Sequence, residues 1–241
     1  MKLVRRLANL GYGSRKDVTR LLRRGRVVDA GGCPLGPKDK DPGGMLRVDG
    51  EPMDPRPGWV MLLSKPVGFV CSRDEPGQRT VYELLPPRCL ARSPAMSPVG
   101  RLDKDTSGVL LLTDDGPLLH RLTHPRHHVP RHYTAQLARD IDDASLARLG
   151  DGTLMLRGEE RPVLPAGVHR IDARTVRLVL HEGRYHQVRR MLAAVGNHVE
   201  ALHRGQLGPV QLGALQEGAW RSLEAAEVAA LWAATGAQPG G

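Results

Sequence analysis

The chain is poor in aromatic residues, with three Trp, four Tyr and one Phe in 241 positions, and it has only three cysteines. Cys33, Cys71 and Cys89 are far apart and none belongs to a C-x-x-C pair. That gives no basis for a disulfide framework or a cysteine-type zinc site, and it points to a reducing compartment. No apolar run approaches the roughly 18 residues needed to span a bilayer. The opening stretch MKLVRRLANLGYGSRKDV has neither the apolar core nor the cleavage site of a secretory signal. A cytoplasmic protein with no membrane partner is expected. Internal repeats are also missing, and the terminal GAQPGG reads as a disordered tail over 236–241. With 40% hydrophobic and 25% charged residues, the composition is that of an ordinary globular protein of one or two domains.

The charge is unevenly placed. Residues 1–28 carry nine Lys or Arg and one acid, Asp17, and so supply +8 of the total +9. Within this segment SRKDVTRLLRRGR reads as a helix, with Ser14 and Asp17 as a capping box and Gly25 as C-cap. Val18, Leu21 and Leu22 share one face, while Lys16, Arg20, Arg23 and Arg24 share another. Like charges at these spacings repel by a few tenths of a kcal/mol per pair, and a phosphate backbone would relieve them. Leu3, Leu7 and Leu10 mark a short partner helix, and RVVDAGG and MLRVDG read as short strands.

Two short helices, the second running from SR to RRGRV, followed by small strands and DPGGMLRVDG, resemble an S4 RNA-binding domain over residues 1–50. The resemblance implies RNA contact through Arg5, Arg6, Ser14, Arg15, Lys16, Arg20, Arg23, Arg24 and Arg26. GEPMDPRPG then reads as a Pro/Gly linker over 51–58. From 59 to 235, WVMLLSKPVG, VLLLT, YTAQLA, VRLVLHE and HVEALH read as strands, and QVRRMLAAVG and SLEAAEVAALWAA as helices. The expected class is α+β, with a mixed, largely antiparallel sheet and flanking helices.

GRLDKDTSGVLLLTDDG, residues 100–116, can be aligned with a calcium loop: Asp103, Asp105, Ser107 and Gly108 fall at its first, third, fifth and sixth positions, and Asp114 at its twelfth. Such a loop needs flanking helices and oxygen ligands at its ninth and twelfth positions, the last usually a bidentate glutamate. Here the ninth residue is Leu111, and VLLLT is a buried-strand pattern. The stretch instead resembles the signature G-R-L-D-x-x-T-S/T-G-L-L-L-L-T-x-D-G of the pseudouridine synthases. SKPVG (64–68), RHY (131–133) and EGRYHQVRRMLAAVGNHVEALHR (182–204) resemble further motifs of that family, and the last is similar to the ribosomal small-subunit (RsuA) type.

The resemblance implies an isomerase that breaks the bond from uracil to C1′ of a uridine in small-subunit rRNA and re-forms it through C5. No atom is gained or lost, so no cofactor or metal is required. The base must be flipped out of the stack into a pocket, where an ionised carboxylate either attacks the sugar carbon or removes a sugar proton. By position in the motifs, that carboxylate is Asp103, the aromatic residue that stacks on the base is Tyr133, and the basic partner of Asp103 is Arg189. Arg101, Leu102, Lys65, Arg131 and Arg190 are expected along the same cleft. Arg190 lies about 100° around the helix from Arg189, so only one of them should reach Asp103, and Asp105 should brace the loop. The partner implied is rRNA or a ribosome assembly intermediate, met by a monomer. Large-subunit synthases share much of the pattern, and a catalytically dead RNA-binding protein is the rival of another class.

Histidines invite two metal readings. HPRHHVPRHY clusters His124, His127, His128 and His132, but arginines alternate with them and no cysteine is near, which favours phosphate contact over zinc. HEGRYH misses the H-E-x-x-H zinc motif by one residue, which on a helix rotates the second histidine off the shared face.

Overall fold

The structure, a computed structural model, describes residues 2–238. Helices α1 (Leu3–Asn9) and α2 (Arg15–Arg23) pack on a small antiparallel sheet of β1 (Val27–Val28), β2 (Arg47–Val48) and β3 (Glu51–Pro52). Leu3, Leu7, Val18, Leu22, Val27, Leu46 and Val48 form its own core. The Ser14 hydroxyl accepts the Asp17 N–H at 3.2 Å, and the Asp17 carboxylate accepts the Ser14 N–H at 3.1 Å, which is the capping box expected from the spacing. Gly25 follows the helix at φ +66, a left-handed turn that glycine makes without strain. Glu51 and Pro52, expected in the linker, instead complete this sheet. The segment after them is braced: Arg88 donates to both oxygens of Asp54, at 2.8 and 3.0 Å, and Arg92 donates to the Pro55 carbonyl at 3.0 Å.

The chain continues through β4 (Val60–Lys65), β5 (Phe69–Val70), β6 (Arg79–Thr80), α3 (Arg88–Ala91), β7 (Ser97–Pro98), β8 (Thr106–Thr113) and α4 (Gly116–Thr123). It then forms β9 (Arg131–Leu137), α5 (Asp143–Gly150), β10 (Gly167–Asp172), β11 (Thr175–Leu180) and α6 (Gln187–Ala194). The last elements are β12 (Val199–Leu207), β13 (Val210–Gln211), β14 (Trp220–Ser222) and α7 (Ala225–Ala233). Residues 239–241 of the expected tail lie outside the described residues, whereas Ala237 packs on the apolar cluster that includes Trp232.

Nine strands form one sheet in the order β10-β11-β9-β12-β8-β4-β14, with β13 beside β12 and β7 beside β8. Its pairings are antiparallel except β12 with β8, so the sheet is mixed and largely antiparallel, and the class is α+β. Apolar residues run almost unbroken through β4 and β8 because both faces are covered. Val60, Leu62, Val109 and Leu111 face a cluster containing α4 and α7 residues, while Met61, Leu63, Leu110 and Leu112 face one containing Phe69, Tyr82 and Met96. A third cluster packs α5 and α6 on β9 and β11.

The parallel β12–β8 pair is the seam that positions the site. Gly108 sits at φ +112, and a Cβ there would lie 2.2 Å from the Arg204 carbonyl oxygen. Only hydrogen fits in that gap. Gly108→Ala is expected to cost on the order of 3 kcal/mol through strain and separation of the strands, seen as a lowered chemical-denaturation midpoint; an unchanged midpoint would mean that the seam is not tight.

Candidate active site

Site geometry begins at the end of β4. Lys65 is completely buried, and its ammonium donates to the carbonyl oxygens of Pro66 (3.0 Å), Asp103 (3.1 Å) and Thr106 (2.8 Å). Burial pulls its pKa down, and the nearby acidic groups Cys71, Asp103 and Asp105 oppose that shift. The loop from 100 to 105 is held further by Gly68, whose N–H donates to the Lys104 carbonyl at 2.7 Å. Cys71 Sγ accepts the Leu102 N–H at 3.4 Å. The backbone of the loop is thereby fixed, and the Asp103 side chain is left to face a cavity of about 350 Å³, a size suited to a small ligand.

Four segments supply most of the cavity wall. The loop gives Arg101, Leu102 and Asp103; β9 gives Arg131 and Tyr133; β12 gives Leu202 and Arg204; the start of α6 gives Tyr185, His186 and Arg189. Residues two apart on a strand share a face, which is why Arg131 and Tyr133 arrive together. The structure thus gathers Asp103, Tyr133, Arg189, Arg101, Leu102 and Arg131 around one space. Two expected cleft residues are absent from it. Lys65 is sealed behind the loop it clamps. Arg190 turns away, donating to Glu159 Oε1 (2.8 Å), the Tyr185 carbonyl (3.2 Å) and the Arg157 carbonyl (2.7 Å).

The charge partners differ from expectation. Arg189 Nη2 lies 2.7 Å from Asp105 Oδ2, and Arg189 also donates to the carbonyls of Asp105 (3.3 Å) and Val199 (3.0 Å), so it does not pair with Asp103. The group beside Asp103 is His186, with Nε2 3.3 Å from Oδ1. His186 stands at φ +46 at the head of α6, and this left-handed backbone turns its ring over the loop.

Sequence reasoning also missed Arg204. This arginine is 1% exposed, donates from Nε to the Val109 carbonyl at 2.9 Å, and has a buried Nη2 with no hydrogen-bond partner. Nothing in ALHRGQ distinguishes it from a surface arginine on an alternating strand. It is the strand pairing with Gly108 and Tyr133 that buries it. Arg131 lies close by: burial pulls its pKa down, and the Arg204 charge pulls the same way. Neither guanidinium has a carboxylate within ion-pair distance among the described residues. Glu182, the other carboxylate on the wall, is occupied by the Leu164 N–H, Arg184 and Gln187.

On α2 and its surroundings, Arg5, Arg15, Lys16, Arg20, Arg23 and Arg24 are exposed. Arg6 is a correction. It is buried, with Nη1 2.5 Å from Asp41 Oδ1, because on α1 it lies on the same face as the buried Leu3 and Leu10 rather than towards solvent. Arg26 is paired with Asp49, and the Ser14 hydroxyl is committed to the helix cap. The calcium alignment also fails on geometry. Thr106–Thr113 is one strand, which places Asp103 and Asp114 at opposite ends of it, roughly 25 Å apart at strand rise. The rings of His120, His124 and His127 lie next to one another, with centroids 5.1 and 6.1 Å apart and planes 50° and 70° apart. Among the described residues no group of three or more His, Cys, Asp or Glu is arranged to hold a metal ion, and no helix is long and apolar enough to cross a membrane.

Comparison with known proteins agrees with this geometry. The family model for RNA pseudouridylate synthase matches residues 59–194. Ribosomal small subunit pseudouridine synthase A of Pasteurella multocida is 41% identical over 173 residues, covering 71% of this chain and 73% of the relative. An uncharacterised RNA pseudouridine synthase of Bacillus subtilis is 38% identical over 233 residues, covering 95% and 97%. A crystal structure of a pseudouridylate synthase, 34% identical, superposes with a TM-score of 0.68 over 96% of this chain and 99% of that one. The loop signature, the cavity that it opens into and these relatives together make the chain a member of the RNA pseudouridylate synthase family.

Proposed function

We propose that this protein isomerises a uridine of small-subunit ribosomal RNA to pseudouridine, with Asp103 as the reacting group and no cofactor. The observation that carries the reading is the state of Asp103: a partly exposed carboxylate whose one polar partner among the described residues is His186, in a cavity whose other carboxylate is fully engaged. Tyr133 offers a stacking surface for the flipped base, and Arg101, Arg131 and Arg204 make the wall cationic. Asp103 either attacks C1′ or removes a sugar proton. In both routes the N1–C1′ bond breaks, a C5–C1′ bond forms, and the C5 hydrogen leaves while N1 gains a proton. Arg189 acts on the loop through Asp105. The similarity to small-subunit enzymes supports rRNA as substrate, met in the cytoplasm by a monomer, as free RNA or within an assembly intermediate.

Tritium release from C5-labelled RNA tests this. Release is expected from a small-subunit rRNA transcript, without added metal and undiminished by EDTA. Release from a large-subunit transcript alone would move the substrate, and none from either would leave only an RNA-binding role.

The N-terminal unit serves as an S4-type domain that grips phosphates through the exposed basic face of α2. Neutralising Arg20, Arg23 and Arg24 is expected to weaken RNA binding and to reduce the slope of log affinity against log salt by roughly 0.7–0.9 per lost contact. An unchanged slope would remove α2 from the interface.

A further inference from the structure

We propose that Tyr185 is a platform for the nucleobase next to the flipped uridine, a second base-binding position at the rim of the cavity. This rests on the reading of the cavity as a uridine pocket. Tyr185 is 70% exposed, while the other seven aromatic residues are buried or half-buried. One face of its ring is already covered: Tyr185 stacks on His186 with centroids 3.9 Å apart and planes 17° apart. The other face has no aromatic partner among the described residues, and Tyr185 lines the space that contains Asp103.

The backbone that carries the platform is held in place before RNA arrives. Arg190, tied to Glu159 and to the Arg157 carbonyl, donates to the Tyr185 carbonyl at 3.2 Å. On the other side, Arg184 is fixed by Glu182 at 3.0 Å and by the carbonyls of Arg161 (2.8 Å) and Pro162 (2.5 Å). His186, below the ring, rests against Asp103. A ring on a braced backbone, stacked on one neighbour, loses less freedom when it binds than a free side chain. Flipping a uridine leaves its neighbour with one bare π-face. A fixed aromatic beside cationic side chains is the chemistry that recovers such a stack for any base. Arg190, expected in the cleft, and Arg184 and His186 of the HEGRYH stretch thereby acquire one role: they support Tyr185.

The test uses RNA oligonucleotides that span the modified uridine, labelled with tritium at C5, intact or abasic at the 5′ or the 3′ neighbour. Tyr185→Ala is expected to lower kcat/KM on intact RNA about tenfold, mostly through KM, and Tyr185→Phe to retain it. With one of the two abasic RNAs, the wild type should fall to the Tyr185→Ala level and the substitution should then cost nothing. Full activity of Tyr185→Ala on intact RNA, or the same loss on both abasic RNAs, would overturn the platform while leaving the uridine pocket standing. Failure of the wild type on intact RNA would overturn both. Because the ring is exposed, thermal unfolding of Tyr185→Ala should match the wild type.

Discussion

Replacing Asp103 by asparagine is expected to lower the rate of C5 tritium release by at least about 10³-fold while RNA binding is unchanged. Asparagine keeps the size of the side chain and an acceptor for His186, but it can neither attack a sugar carbon effectively nor take a sugar proton, and removing such a group costs about this much. The loop itself should not move, because its backbone is held by Lys65 and Gly68 rather than by the Asp103 carboxylate. Asp105→Asn is the control. It breaks the pair with Arg189 and should cause a milder loss. If Asp105→Asn were inactive and Asp103→Asn active, the reacting group would be Asp105.

The largest stability effect should come from the far end of the same strand. Asp114 accepts from Arg92 Nε at 3.0 Å and Nη2 at 2.6 Å, and from the N–H groups of Gly58 and Trp59, both at 2.8 Å. Both side chains of the ion pair are 1% exposed. Asp114→Ala leaves a buried guanidinium without its counter-charge, an error that costs about 3–5 kcal/mol, or a fall in Tm of about 10 °C for a chain of this size. The double variant Arg92→Met with Asp114→Leu should lose less than the single one, since no charge is stranded. A fall of less than about 2 °C for Asp114→Ala would mean that water reaches the pair. Activity measured well below the transition should survive, which separates this aspartate from Asp103 although both belong to one sequence motif.

These two aspartates show what the sequence made legible. Four carboxylates in one short stretch look alike until the structure places Asp103 at a cavity and Asp114 in the interior. The motif that carries Asp103, the apolar runs of β4 and β8, the S-x-x-D cap of α2 and the mixed sheet were all readable, because each has a local cause. β10 was not, since an edge strand with exposed His169, Ile171 and Asp172 shows little apolar periodicity. Arg204 and Arg6 were hidden for another reason: an arginine becomes buried only through what packs on it from elsewhere in the chain. Arg190 and Lys65 were placed near the cleft by adjacency to motif residues, yet a neighbour on a helix or at a strand end can face away. The left-handed turn at His186 has no signature in residue type, so the contact with Asp103 emerged only in three dimensions.

The central claim is that the Asp103 cavity rebuilds one uridine of small-subunit rRNA through carbon. Its most direct test is pseudouridine mapping of that RNA after incubation with the purified protein. Stoichiometric conversion at a single position is expected with the wild type and none with Asp103→Asn; no new pseudouridine with the wild type, or the same position converted by both proteins, would contradict the assignment.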